Sequence, residues 1–92
     1  TGLGEAIIKT SGSAMVVELM RQGYSPKEAC KSIVERISKI HKNGPDWEYL
    51  QVGFIAINKK GEYSGYSLRS GFDYAVCDNK DQKQLIKADF SI

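Results

Sequence analysis

The sequence predicts an α+β unit: a short strand, two consecutive helices, then a three-stranded antiparallel meander. Three observations carry this. Ser25-Pro26-Lys27-Glu28 is a complete helix-start signal, residues 52–57 form an unbroken apolar run, and alternating segments flank the turn formers Asn58-Lys59-Lys60-Gly61 and Ser70-Gly71. Helices and strands that segregate along a chain place the helices across one face of an antiparallel sheet.

Thr1-Gly2-Leu3-Gly4-Glu5 leads into Ala6-Ile7-Ile8-Lys9-Thr10, whose β-branched residues favour a strand entered through a glycine-bearing corner. Gly2 and Gly4 let the backbone come close to a neighbour. Ser11-Gly12-Ser13 offers N-cap hydroxyls to a helix over residues 14–22, with Val16, Leu19 and Met20 at helical spacing and Gly23 as its left-handed stop. The second helix opens with Ser25 as N-cap, Pro26 at N1 and Glu28 at N3. Cys30, Ile33, Val34, Ile37 and Ile40 mark its packed face, Lys31, Glu35 and Lys39 its wet one, and Asn43-Gly44-Pro45 ends it. After a polar turn with Asp46 and Trp47, residues 52–57 read as a strand buried on both faces. Residues 62–68 return as a second strand, and Phe72, Tyr74 and Val76 alternate with Asp73, Ala75 and Cys77 in a third. Residues from about 78 to 92 read as a polar tail. Two helices cover one sheet face only, so a further sheet or a partner chain is expected over the other.

Ninety-two residues allow one unit, 1–92, and no second domain; with 41 % apolar residues its stability alone would be marginal. Thirteen Lys and Arg against eleven Asp and Glu leave a net charge of +2, which speaks against a disordered tail and a dedicated nucleic-acid binder. The longest apolar run is too short to cross a bilayer, so no membrane or nucleic-acid partner is expected, and any targeting signal lies outside these residues.

Residue chemistry yields few candidates. Cys30 and Cys77 stand far apart in no CxxC pair and His41 is the single histidine, so neither a metal nor another cofactor is expected. Cys30 and His41 share a helical face, but at about 1.5 Å per residue they lie roughly 16 Å apart, too far for a thiol–imidazole pair. Glu18, Glu28 and Glu35 have capping or surface-charge explanations. Tyr63, Tyr66, Phe72 and Tyr74 read as packing rather than as a base-stacking platform, having no clustered Lys or Arg. A threonine at a free N-terminus can be a nucleophile with its own amine as base, but standing first does not assign that role to Thr1. TGLGE lacks the Lys and third glycine of a phosphate loop and, on this reading, leads into a strand rather than a helix.

TGLGE, VVELMRQGYSPKEACKSIVERISKI and VGFIAINKKGEYSGYSLRSGFDYAV together resemble the C-terminal part of the catalytic β subunit of the glycosylasparaginases, or aspartylglucosaminidases. The related isoaspartyl peptidases and asparaginases share TGxGE but are less alike in the helices and meander. The resemblance implies part of a four-layer αββα N-terminal-nucleophile hydrolase, whose precursor cleaves itself to expose a threonine. It implies hydrolysis of the amide between N-acetylglucosamine and asparagine during glycoprotein degradation. The threonine matching Thr1 and the glycine matching Gly2 form the family's oxyanion hole, so Thr1 would give its hydroxyl and Gly2 its N–H. Thr1, Gly2, Leu3 and Gly4 would line the substrate pocket, Leu3 through its backbone and Gly4 by having no side chain to obstruct the bound aspartyl group. The nucleophilic threonine, the cleavage site and the Arg and Asp that hold the substrate lie upstream of TGxG in the family, so residues 1–92 alone are expected to be inactive. The implied partners are the α subunit and the nucleophile-bearing segment, in a homo-oligomer of heterodimers, with a small glyco-asparagine as substrate. The implied location is periplasmic, secreted or lysosomal. Two other readings remain: an isoaspartyl peptidase or L-asparaginase, and a noncatalytic interaction module that uses the open sheet face.

Overall fold

The computed structural model describes residues 1–77 and 83–92, which form helices α1 (Gly4–Lys9), α2 (Gly12–Arg21) and α3 (Pro26–His41), a 3₁₀ turn (Trp47–Tyr49), and strands β1 (Gly53–Ile57), β2 (Tyr63–Ser67), β3 (Asp73–Cys77), β4 (Lys83–Lys87) and β5 (Asp89–Phe90). The α+β class is as the sequence predicts. Its first element is not. The segment expected to be a strand is helix α1, because its ends and its buried residue all suit a helix. Glu5 stands in the first turn and Lys9 in the last, paired at 3.7 Å across i,i+4. Ala6 is fully buried, and Thr10 gives its hydroxyl to the Ile7 carbonyl at 3.0 Å. These contacts outweigh the strand preference of two isoleucines, of which Ile8 is left 77 % exposed.

Ser11, at φ 52, turns the chain between α1 and α2; it is the N-cap by position, but its hydroxyl makes no capping bond. Gly12 then allows α2 to sit on β1, since a Cβ there would come within 2.7 Å of the Phe54 ring. On the wet side of α2, Arg21 binds Glu18 with Nε at 2.8 Å and Nη2 at 2.6 Å, which holds the Glu18 carboxyl down to about 2.

Helix α3 is the frame of the molecule. Its capping box is complete: the Glu28 N–H donates to Ser25 Oγ at 3.1 Å and the Ser25 N–H to Glu28 Oε2 at 3.4 Å. Ala29, Cys30, Ile33, Val34 and Ile37 are fully buried in a helix that packs on β1 and β2, whereas Ile40, expected on the same face, is exposed in the last turn. Ser25→Ala removes the acceptor of an otherwise orphaned N–H and is expected to destabilise the protein by about 1 kcal/mol. Urea unfolding should show a lower midpoint at unchanged slope; an unmoved midpoint would assign the helix start to Pro26 alone.

The meander holds for two strands and then breaks. β1 and β2 form an antiparallel hairpin in the register Gly53↔Ser67 to Ile57↔Tyr63, closed by a loop in which Gly61 has φ +86. The other edge of β2 is taken at Tyr66 and Ser67 by β5, which runs parallel to it, so β3 does not follow β2 into the sheet. Instead β3 pairs antiparallel with β4 in a separate ribbon that folds over the outer sheet face. Two glycines make room for it: a Cβ on Gly65 would be 2.6 Å from the Tyr74 ring, and one on Gly53 3.1 Å from the Phe72 ring. Residues 83–87 and 89–90, expected to belong to a polar tail, are therefore strands; residues 78–82 of that expectation lie outside the described residues.

β1 is consequently buried on one face rather than two. Val52 and Phe54 enter the core beneath α2 and α3, while Ile55 and Ile57 remain 62 % and 66 % exposed on the outer face. Between that face and the ribbon lies a cleft of about 430 Å³, bordered by Ile55, Ile57, Tyr63, Tyr74, Val76 and Cys77.

Candidate active-site edge

Residues 1–3 lie antiparallel along the free edge of β1. The Thr1 nitrogen donates to the Gly53 carbonyl at 2.7 Å, the Gly53 N–H to the Thr1 carbonyl at 2.9 Å, and the Leu3 N–H to the Gln51 carbonyl at 3.1 Å. These bonds flank Gly2, so Gly2 and Val52 are a non-hydrogen-bonded pair. The N–H of a residue in such a pair turns away from its neighbouring strand. Gly2 thus presents its N–H to the open side of the edge. Its φ is +112, and an added Cβ would overlap the Gln51 carbonyl oxygen. Only glycine fits that backbone. The Thr1 hydroxyl makes no hydrogen bond among the described residues. Leu3 is the extended N-cap of α1, and Gly4 opens that helix facing empty space, with nothing within 4 Å of where its Cβ would be. All four residues are exposed.

Behind this edge stands a polar brace. The Gln51 side chain forms two hydrogen bonds with the Arg69 backbone, donating to its carbonyl at 2.8 Å and accepting from its N–H at 2.9 Å. The Arg69 guanidinium crosses to the other side of the corner, giving Nε to the Leu50 carbonyl at 3.0 Å and Nη2 to the Trp47 carbonyl at 2.6 Å. It also lies 5.2 Å above the Trp47 ring, a cation–π distance. Buried Ser67 completes the brace with a 2.7 Å bond to the Arg69 carbonyl.

Residues 1–86 match the family model described as Asparaginase. The chain belongs to the asparaginase family. This asparaginase-family chain is 52 % identical over 84 residues to N(4)-(beta-N-acetylglucosaminyl)-L-asparaginase of Elizabethkingia miricola, an overlap of 90 % of the chain and 25 % of that protein. It is 36 % identical over 86 residues to an Arabidopsis thaliana protein named "Probable isoaspartyl peptidase/L-asparaginase 3", covering 92 % of the chain and 22 % of that relative. The chain thus spans about a quarter of the length of these curated relatives. The resemblance to the glycosylasparaginases read from the sequence is borne out.

The other candidates of this asparaginase-family chain do not gather into a site. Cys30 is fully buried and its thiol is pushed up to about 11 by burial, so it is a core residue and not a thiolate. Tyr66 is buried and bonds Ser91 at 3.0 Å, while Phe72 and Tyr74 pack over glycines, which leaves no continuous aromatic platform among the described residues. TGLGE does lead into a helix, contrary to the strand expected, but α1 has six residues and the loop still lacks a lysine. Among the described residues no group of three His, Cys, Asp or Glu side chains stands as metal ligands would, and no helix is long and apolar enough to cross a membrane. Sequence reading placed Thr1, Gly2, Leu3 and Gly4 together but missed Gln51 and Arg69. Their hydrogen bonds join residues 18 apart through backbone atoms, and no motif or periodicity marks such a contact.

Proposed function

We propose that the complete protein hydrolyses the amide between N-acetylglucosamine and asparagine, and that this chain supplies the oxyanion hole and one wall of the substrate pocket. The observation that carries the reading is the outward N–H of Gly2 beside the unbonded Thr1 hydroxyl. A threonine hydroxyl from another segment of the same enzyme attacks the side-chain amide carbon. The carbonyl oxygen becomes negative, and the Thr1 hydroxyl and Gly2 N–H donate to it; fixed donors of this kind act without reorganising as the charge develops. Collapse restores the carbonyl and expels the glycosylamine, which leaves with a proton. Water then cleaves the acyl-enzyme and releases aspartate. Open space at Gly4 leaves room for the aspartyl group. The remaining pocket, the self-cleaved nucleophile and the α subunit come from parts of the enzyme beyond this chain, and the mature form is a homo-oligomer of heterodimers in the periplasm, the lysosome or outside the cell.

The choice of substrate follows the 52 % identical relative, whose name specifies the glycosylated asparagine. The 36 % identical relative supports the second reading, cleavage of β-aspartyl peptides or asparagine. Supplying the complete protein with aspartylglucosamine and a β-aspartyl dipeptide in parallel separates them. Release of aspartate from the glycosylated compound with the higher kcat/KM is expected. Preference for the dipeptide would install the second reading, and inertness toward both would leave a noncatalytic module.

A further inference from the structure

We infer that Gln51 and Arg69 are positioning residues for the oxyanion hole, holding the strand edge on which Thr1 and Gly2 are carried; this rests on the reading of Thr1 and Gly2 as oxyanion donors. The chain of contacts is continuous. The Leu3 N–H is bonded to the Gln51 carbonyl, and Gly2 lies so close above that carbonyl that its lack of a side chain is required. The direction of the Gly2 N–H is therefore set by where the Gln51 backbone sits. Residues 50 and 51 do not belong to β1 itself; they connect the 3₁₀ turn to it, and strand pairing alone does not hold them.

Arg69 and Gln51 supply what the ladder lacks. The Gln51 amide reproduces a two-bond backbone bridge with Arg69, two residues past the end of β2. The guanidinium then ties down the carbonyls of Leu50 and Trp47, so the corner is held from both sides. A planar fork with donors at two positions can reach both carbonyls while lying on the indole; an ammonium cannot do all three. Neither side chain points a free polar atom toward Thr1 or Gly2 in any bond described above, so their effect passes through the backbone. Oxyanion donors act only when aimed at the position the charged oxygen will occupy, and small misplacements cost rate rather than ground-state binding.

The test uses the complete enzyme and its amide substrate. Gln51→Leu removes both bonds to Arg69, and Arg69→Lys retains the charge but not the two-carbonyl grip. Each is expected to lower kcat about 10-fold per folded molecule, with KM within about 2-fold of the parent, as misaimed transition-state donors require. Thr1→Ala is measured beside them. If Thr1→Ala keeps full kcat, the oxyanion reading itself fails. If Thr1→Ala loses activity while Gln51→Leu and Arg69→Lys retain theirs, or raise KM alone, the positioning inference fails and the reading stands. Loss of the folded state in both brace variants, followed by circular dichroism, would also overturn the inference, because the brace would then be holding the fold rather than the edge.

Discussion

Thr1→Ala in the complete enzyme is expected to lower kcat roughly 10²- to 10³-fold on the glycosylated amide, the usual cost of removing one oxyanion donor. The substrate carbonyl is a weaker acceptor than the oxyanion that forms from it, so KM should move little. Folding should be indifferent. The Thr1 hydroxyl has no structural partner among the described residues, and both bonds that Thr1 makes to Gly53 use main-chain atoms that alanine keeps. An exposed substitution of this kind stays within about 0.5 kcal/mol of the parent. Thr1→Ser retains the hydroxyl and should recover activity to within a few-fold, roughly. Denaturing intact masses, taken before the kinetics, establish that each variant carries the same set of polypeptides as the parent. A kcat for Thr1→Ala within threefold of the parent would remove Thr1 from the oxyanion hole, at about 0.6 kcal/mol of barrier.

How legible each part was depends on the range of the interactions that decide it. Helix α3 announces itself because Ser25, Pro26 and Glu28 settle its start within four residues and Ile33, Val34 and Ile37 repeat at its period. The six residues of α1 are too few for periodicity to outweigh Ile7 and Ile8, and what decides them is non-local: a place for Ala6 in the core. Where β3 goes is equally non-local. It depends on β5 arriving from the end of the chain to occupy the β2 edge, and on Gly53 and Gly65 leaving space for Phe72 and Tyr74. The local alternation of Phe72, Tyr74 and Val76 was sufficient to predict a strand but carries nothing about its partner. In the site, Thr1 to Gly4 are legible as a motif through their family resemblance, since chemistry at a backbone N–H leaves almost no trace in residue type. Gly2 is the exception, because its conformation excludes every other residue.

That exclusion makes Gly2→Ala the substitution with the most concentrated consequence. Two penalties coincide. At φ +112 an L-residue is strained by about 1 to 3 kcal/mol. The new Cβ would also overlap the Gln51 carbonyl oxygen and stand 2.8 Å from Val52 Cα, and both are backbone atoms that cannot rotate aside. Relief requires residues 1–3 to peel from β1, breaking the bonds at Thr1 and Leu3 and displacing the hydroxyl and the N–H together. Losing two donors that work as one unit should cost at least roughly the 10²- to 10³-fold expected for either, and adding Thr1→Ala to Gly2→Ala should change kcat little further. The rest of the fold should persist, since residues 1–3 are exposed and the core is built by α2, α3, β1 and β2. Amide exchange should therefore accelerate at Leu3 and Gly53, whose N–H groups bond across this edge, while the amides of Ile33 and Ile37 stay protected. A Gly2→Ala enzyme with near-parental kcat would mean that the outward N–H of Gly2 does not meet the oxyanion, and a protein that loses protection at Ile33 as well would mean that the edge is part of the core.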